Sequence, residues 1–165
     1  MAAFREAFNR PDSLAPDLRY SIAVHESGHA LVGLSYGLQI RGMHIDPDHE
    51  SSGTKFLRDD FDHLMLDDQV VVGLAGAEAV QIVGCEHVAK QALEDVELVR
   101  ATLLRHGIDE NTAGGSARGK SIRKNARVWA QVILEPRRES IIELAAALSE
   151  ARELDKEQIA ALLAS

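Results

Sequence analysis

The sequence predicts a mainly α protein of five or six helices with one small β-hairpin. Three observations carry this. Only 4% of the residues are aromatic while 45% are hydrophobic, so the core must rest on Leu, Val, Ile and Ala, which pack helices through aliphatic stripes. Several long stretches have helical apolar spacing and run into a Gly or Pro stop. Only two short stretches alternate like strands. The 165 residues fit one domain with a real core, placed at residues 18–165 behind an N-terminal arm, residues 1–17.

The elements follow in order. The arm contains Pro11 and Pro16. Leu18 to Tyr36 reads as a helix, with Gly37 placed to end it in the left-handed conformation. Gln39 to Asp46 alternates loosely through Ile40, Met43 and Ile45, and Gly53 to Arg58 is a second extended stretch. The polar turn Pro47 to Ser52 makes the pair a hairpin, which needs helices behind it to be stable. Asp67 to Gly84 is apolar on most sides and reads as the central buried helix. Gly73 and Gly76 each cost that helix about 1 kcal/mol, and close approach of another helix is the return. Val88 to His106 is the next helix, with Ala92, Val96, Val99 and Leu103 as its stripe and Gly107 as its stop. Glu110 to Gly119 is rich in Gly, Ser and Ala and reads as a loop. Ser121 to Glu135 and Arg137 to Arg152 read as helices separated at Pro136. Asp155 to Ala164 closes the chain, with Asp155 and Gln158 spaced as a capping box.

Charge and cysteine content exclude several classes. A net charge of −8 opposes a phosphate backbone, so no nucleic-acid partner is expected. Asp46 to Asp68 is acid-rich and Arg118 to Arg138 is basic: two solvated faces, or a docking surface for a partner or another copy. Cys85 is the single cysteine, so there is no internal disulfide. Met1 to Pro16 has no apolar core of a signal peptide, and no stretch approaches the roughly 20 apolar residues of a membrane span. The expected location is the cytoplasm.

Val24-His25-Glu26-Ser27-Gly28-His29-Ala30 contains H-E-x-x-H inside a predicted helix, a zincin-like arrangement. Residues four apart share one helix face, so two imidazoles can reach one tetrahedral zinc ion. Zinc lowers the pKa of a bound water to about 7, and Glu26, beside the first histidine, is placed as the general base that takes its proton. The flanking Ile22, Val24, Leu31 and Val32 put the motif in an apolar setting, where histidines and a glutamate are costly without a metal or another partner. Gly28 leaves room either near the metal or for helix packing.

A catalytic zinc takes three protein ligands, so one comes from elsewhere. Glu94, Asp95 and Glu97 on the helix 88–106 are the candidates. Asp95 borders the apolar stripe, with Ala92, Leu98 and Val99 at helical spacing, while Glu97 lies between Glu94 and Arg100 in a solvated setting. Of the other histidines, His44, His49 and His63 read as surface residues, and His87 and His106 lie near helix ends.

These residues resemble a family. Ile22 to Val32, I-A-V-H-E-S-G-H-A-L-V, is similar to the zinc motif of FtsH-type peptidases, the protease half of membrane-bound ATP-dependent zinc proteases. Leu74 to Ala79 followed by Ile82-Val83-Gly84 resembles that family's Gly- and Ala-rich central helix. Ala92 to Leu103 resembles the segment carrying its aspartate ligand, which by that match is Asp95. Leu144 to Leu148 and Leu154 to Ile159 resemble its closing helices, so the likeness spans roughly Tyr20 to Leu163. The resemblance implies a Zn2+ site of His25, His29 and Asp95, and an extended strand that presents substrate. Gly53 to Arg58, with Gly53, Thr54, Lys55 and Phe56 as substrate-binding residues, or Ile40 to Ile45 would supply that strand. A purely structural hairpin is the other reading.

The chain also departs from the family. It has no G-x-x-x-x-G-K-S/T loop and no membrane span. Val80 stands where the family has a glutamate, Lys90-Gln91-Ala92-Leu93 replaces a run of small residues, and Ser116 to Ile122 carries extra basic residues. The leading expectation is a zinc endopeptidase acting on unfolded or peptide-like polypeptides. The alternatives are a non-catalytic helical interaction module with a structural metal, and a peptidase subunit served by a separate ATPase. Ring assembly of copies follows from the resemblance alone.

Overall fold

The computed structural model describes residues 16–46, 52–56, 58–85 and 88–164. In order these form α1 (Pro16–Ser35), β1 (Ile40–His44), β2 (Gly53–Phe56), α2 (Arg58–Asp62), α3 (Leu66–Val83), α4 (Ala89–Arg105), α5 (Ala113–Leu134), α6 (Arg138–Ala151), β3 (Glu153–Asp155) and α7 (Lys156–Leu163). A 3₁₀ turn, Glu135–Arg137, joins α5 to α6 at Pro136, where the missing N–H interrupts the α-helical ladder. The predicted class holds: mainly α with a small antiparallel sheet. Most of the predicted arm, the turn at 47–51, His49 and His87 lie outside the described residues. The arm's last two residues, Pro16 and Asp17, belong to α1, because proline's fixed φ and missing N–H suit a helix's first turn.

Among the described residues the sheet has three strands where two were predicted. Its order is β2-β1-β3, with Met43 paired to Thr54 on one side and to Leu154 on the other. Three residues carry too little alternation to reveal β3 in the sequence. Arg152, at φ 65°, ends α6 in the left-handed region and turns the chain into that strand. Asp155 then caps α7 through the expected capping box with Gln158.

The centre of the molecule is two helices, where one was expected. Every residue of α1 from Ser21 to Gly33 is buried, and so is most of α3 from Gln69 to Val80. They pack on each other, with α5 and α4 against α3, and α6 against α1. The approach is close because position 28 has no side chain: a Cβ there would stand 2.6 Å from Ala79 Cβ and 2.7 Å from Ala75 O. Gly28 therefore serves helix packing, the second of its two predicted roles. No helix among the described residues is long and apolar enough to cross a membrane.

Residues 110–119, expected as a loop, largely join α5. Thr112 caps the helix by accepting a hydrogen bond from Gly115 N, 3.1 Å. Glu110 folds against Gly119 and takes a paired bond from Arg123 at 3.1 and 2.8 Å. Gly119 makes room for that carboxylate, and the cap and ion pair outweigh the low helix propensity of the glycines. The basic run is partly spent inside the fold. Arg127 donates to Glu78 Oε1 at 2.8 Å and Gln131 to Oε2 at 2.7 Å, which pins α5 to the buried carboxylate of α3. Arg138 reaches the last carbonyls of α3, Ile82 O and Val83 O, where a cation suits the helix C-terminus.

Glu78 is 1% exposed, while the Arg127 side chain is 48% exposed. Removing the arginine strands a buried charge; neutralising the glutamate leaves a cation that can turn to water. Arg127→Ala should therefore cost roughly 2–4 kcal/mol and Glu78→Gln about 1 kcal/mol in denaturant unfolding. The reverse order would show that this ion pair is not what holds the α3–α5 seam.

Candidate metal centre

His25 and His29 lie one turn apart on the buried face of α1 and point the same way, as their spacing dictates. Their ring centroids are 4.8 Å apart and their planes cross at 71°. Asp95 comes from α4, and its Oδ2 stands 3.0 Å from His25 Nε2 and 3.2 Å from His29 Nε2. The two Nε2 atoms are 3.1 Å apart. The structure thus gathers the three candidate ligands, and they are the one His/Cys/Asp/Glu cluster found among the described residues with metal-holding spacing. Glu94 and Glu97, the other candidates for third ligand, have side chains 58% and 61% exposed. Asp95 is chosen because it sits on the packed stripe of α4, with a side chain 14% exposed.

The donor set fits a cation. His29 Nδ1 donates to the Val72 carbonyl at 2.7 Å, which turns Nε2 toward the cluster. Asp95 Oδ2 is buried with no well-aligned donor, although both Nε2 atoms are within 3.2 Å. Two ring nitrogens and a carboxylate oxygen meet in a buried corner, and a proton or a metal ion among them is what makes so close a meeting favourable. A tetrahedral ion with bonds of roughly 2.0–2.2 Å spaces its ligands by about 3.3–3.6 Å, close to the separations here. The His25 ring is drawn up against α3 by Gly76: a Cβ there would meet His25 Nε2 at 2.5 Å. Gly76 thus serves the close approach predicted for it, and the group that approaches is the metal-ligand ring itself.

Electrostatics tighten the corner. Burial by itself lowers the His29 pKa, but the Asp95 carboxylate, with help from Glu26 and the Val72 carbonyl, raises it to about 9. Burial alone would raise Asp95, and the two facing imidazoles instead bring it well below the usual carboxylate range.

Glu26 is 4% exposed and lies in the same cleft, of about 470 Å³. The four predicted substrate-binding residues, Gly53, Thr54, Lys55 and Phe56, all line it. Their side chains alternate, as a strand requires. Thr54 turns to Glu26, Phe56 packs over Gly33 of α1, and Lys55 is exposed. Because β2 is an edge of the sheet, its far side has no strand partner among the described residues. Of the remaining histidines, His44 is half-buried in β1, where a surface position was expected, and its Nδ1 has no partner among the described residues. His63 and His106 are exposed.

Other parts of the cleft were not foreseen. Phe61, Val72 and Leu98 give it an apolar wall, and Gln91, 5% exposed, adds a carboxamide one turn before Asp95. Gln91 could have been found from its spacing, since it shares a helix face with Asp95. The role of Val72 rests on a backbone carbonyl and leaves no trace in residue type.

No protein-family model matches this chain, and no curated protein matches it.

A cation entering the cluster must displace the proton that His29 holds at neutral pH. Zinc uptake at pH 7 should therefore release about one proton from this ring, and affinity should weaken on the order of tenfold per unit as pH falls from 8 to 6. Calorimetry in buffers of different ionisation enthalpy measures both. Uptake without proton release would show that the ion binds elsewhere.

Proposed function

We propose that the chain is a zinc metallopeptidase that hydrolyses peptide bonds in unfolded or peptide-like polypeptides. Within that class, the resemblance of Ile22 to Val32 and of the Asp95 segment favours an FtsH-type peptidase domain. The observation that carries the reading is the meeting of His25, His29 and Asp95, from two helices, beside Glu26 in a cleft bordered by an edge strand.

The chemistry divides among these groups. Zinc held by the two Nε2 atoms and the Asp95 carboxylate would supply an activated water at neutral pH and polarise the scissile carbonyl. The substrate backbone would extend along the open edge of β2 as an added strand, which favours unfolded over folded chains. Phe61, Val72 and Leu98 provide apolar surface for a substrate side chain. Glu26 takes the proton of the attacking water and passes it to the leaving amine. Assembly of copies into a ring and a separate ATPase that delivers substrate belong to the same proposal and rest on the resemblance alone. The cytoplasm is the proposed location, with Cys85 as a free thiol.

The test compares bound zinc and cleavage of a casein-type unfolded substrate in four proteins: wild type, His25→Ala, Asp95→Ala and Glu26→Gln. The alanine variants should lose zinc. Glu26→Gln should keep it and lose cleavage by roughly 10²–10⁴-fold. Zinc binding with no cleavage by the wild type would favour a structural metal in an interaction module. No zinc in any of the four would end the metallopeptidase reading.

A further inference from the structure

The Thr54 side chain reaches back across the cleft to the helix that carries the metal motif. Its Oγ1 stands 2.9 Å from the backbone carbonyl oxygen of Glu26 and 3.1 Å from Glu26 Oε2. One hydroxyl therefore touches both the root and the tip of the same residue. Among the described residues it is the hydrogen-bond partner of the Glu26 carboxylate, and no second one accompanies it. Glu26 itself lines the cleft.

The support behind that hydroxyl is stiff. Threonine is β-branched, so its χ1 is restricted. Its backbone sits in β2, paired to Met43 of β1, which is itself 1% exposed and held on its other side by Leu154. Glutamate, by contrast, has three rotatable bonds, and a base that must meet one water needs a single orientation. The hydroxyl has one proton and two acceptors in reach.

We propose that Thr54 is a positioning residue: its hydroxyl holds the Glu26 carboxylate toward the metal cluster and ties the base to the strand along which substrate would lie. This rests on the peptidase reading for its catalytic consequence, but the hold itself does not. Lys55 and Phe56, its neighbours on the strand, make no such bond: one is exposed and the other packs on Gly33. Thr54 lines the cleft, as expected of a substrate-binding residue, and in this proposal it also supports the base.

The experiment has two readouts on the full chain. The first is a double-mutant cycle of Thr54→Val and Glu26→Ala, read as unfolding midpoints in denaturant with the metal removed by chelator. The double variant should lose less than the sum of the single losses. Additive losses would overturn the hold, whatever the activity. The second is zinc content, kcat and KM on an unstructured peptide for wild type, Thr54→Val and Thr54→Ser. Thr54→Val should keep its zinc and its KM within about twofold and lose kcat about 10–100-fold, while Thr54→Ser recovers most of it. An unchanged kcat in Thr54→Val, or equal loss in the serine variant, would overturn the positioning role. If the valine variant does not fold, Thr54→Ala takes its place in both readouts under the same criteria. A non-additive cycle in a chain whose wild type cleaves nothing would support the hold and sink the peptidase reading alone.

Discussion

Everything at the centre of this molecule depends on how closely α1 and α3 approach. Gly28 of α1 lies against Ala75 and Ala79 of α3, and Gly76 of α3 lies against the His25 ring, so each helix gives up a side chain where the other presses in. A methyl group at either position would push the helices apart, and packed interiors yield to such insertions only at a cost of about 1–3 kcal/mol. The low helix propensity of these glycines is thus the local cost of a contact that also aims two imidazoles. The same approach brings the Val72 carbonyl to His29 Nδ1 and thereby sets which nitrogen of that ring faces the cleft.

Around this contact the fold buries groups that burial alone disfavours. Each is matched to a partner on another element: His29 to Val72 O and Asp95, Glu26 to Thr54, and Glu78 to Arg127 and Gln131. The pairings differ in kind. Glu78 is saturated by a guanidinium and an amide and has nothing left for chemistry. His25, His29 and Asp95 bring two ring nitrogens and a carboxylate oxygen within 3.2 Å of one another, an arrangement that is stable only with a proton or a cation among them. Two buried charged clusters flank α3, and the difference in how they are satisfied separates the structural one from the one that can bind.

The helices were legible because their apolar spacing and stops are local. α1, α3 and α4 begin and end within about two residues of the predicted bounds, and Gly37 and Gly107 adopt the expected left-handed turns, φ 77° and 76°. The stretch 110–119 was misread because glycine content outweighed the Thr112 cap and the Glu110–Arg123 pair, and the latter is visible only once α5 is formed. β3 escaped because a three-residue strand has no pattern of its own and exists through its pairing with β1. The burial of α1 on all sides was hidden for a similar reason: its polar motif residues interrupt the apolar run, although the fold covers them too.

The chain's own order of residues determined the class of fold, the H-E-x-x-H pair and its shared face, and a short list of acids for a third ligand. Those follow from helical periodicity, a property of neighbours in sequence. Tertiary structure decided which acid meets the pair, which nitrogen of His29 is turned inward, and that Thr54 lies against Glu26. Each of these is a distance between atoms on different elements, set by how closely helices and strand pack, and no spacing along one element contains it.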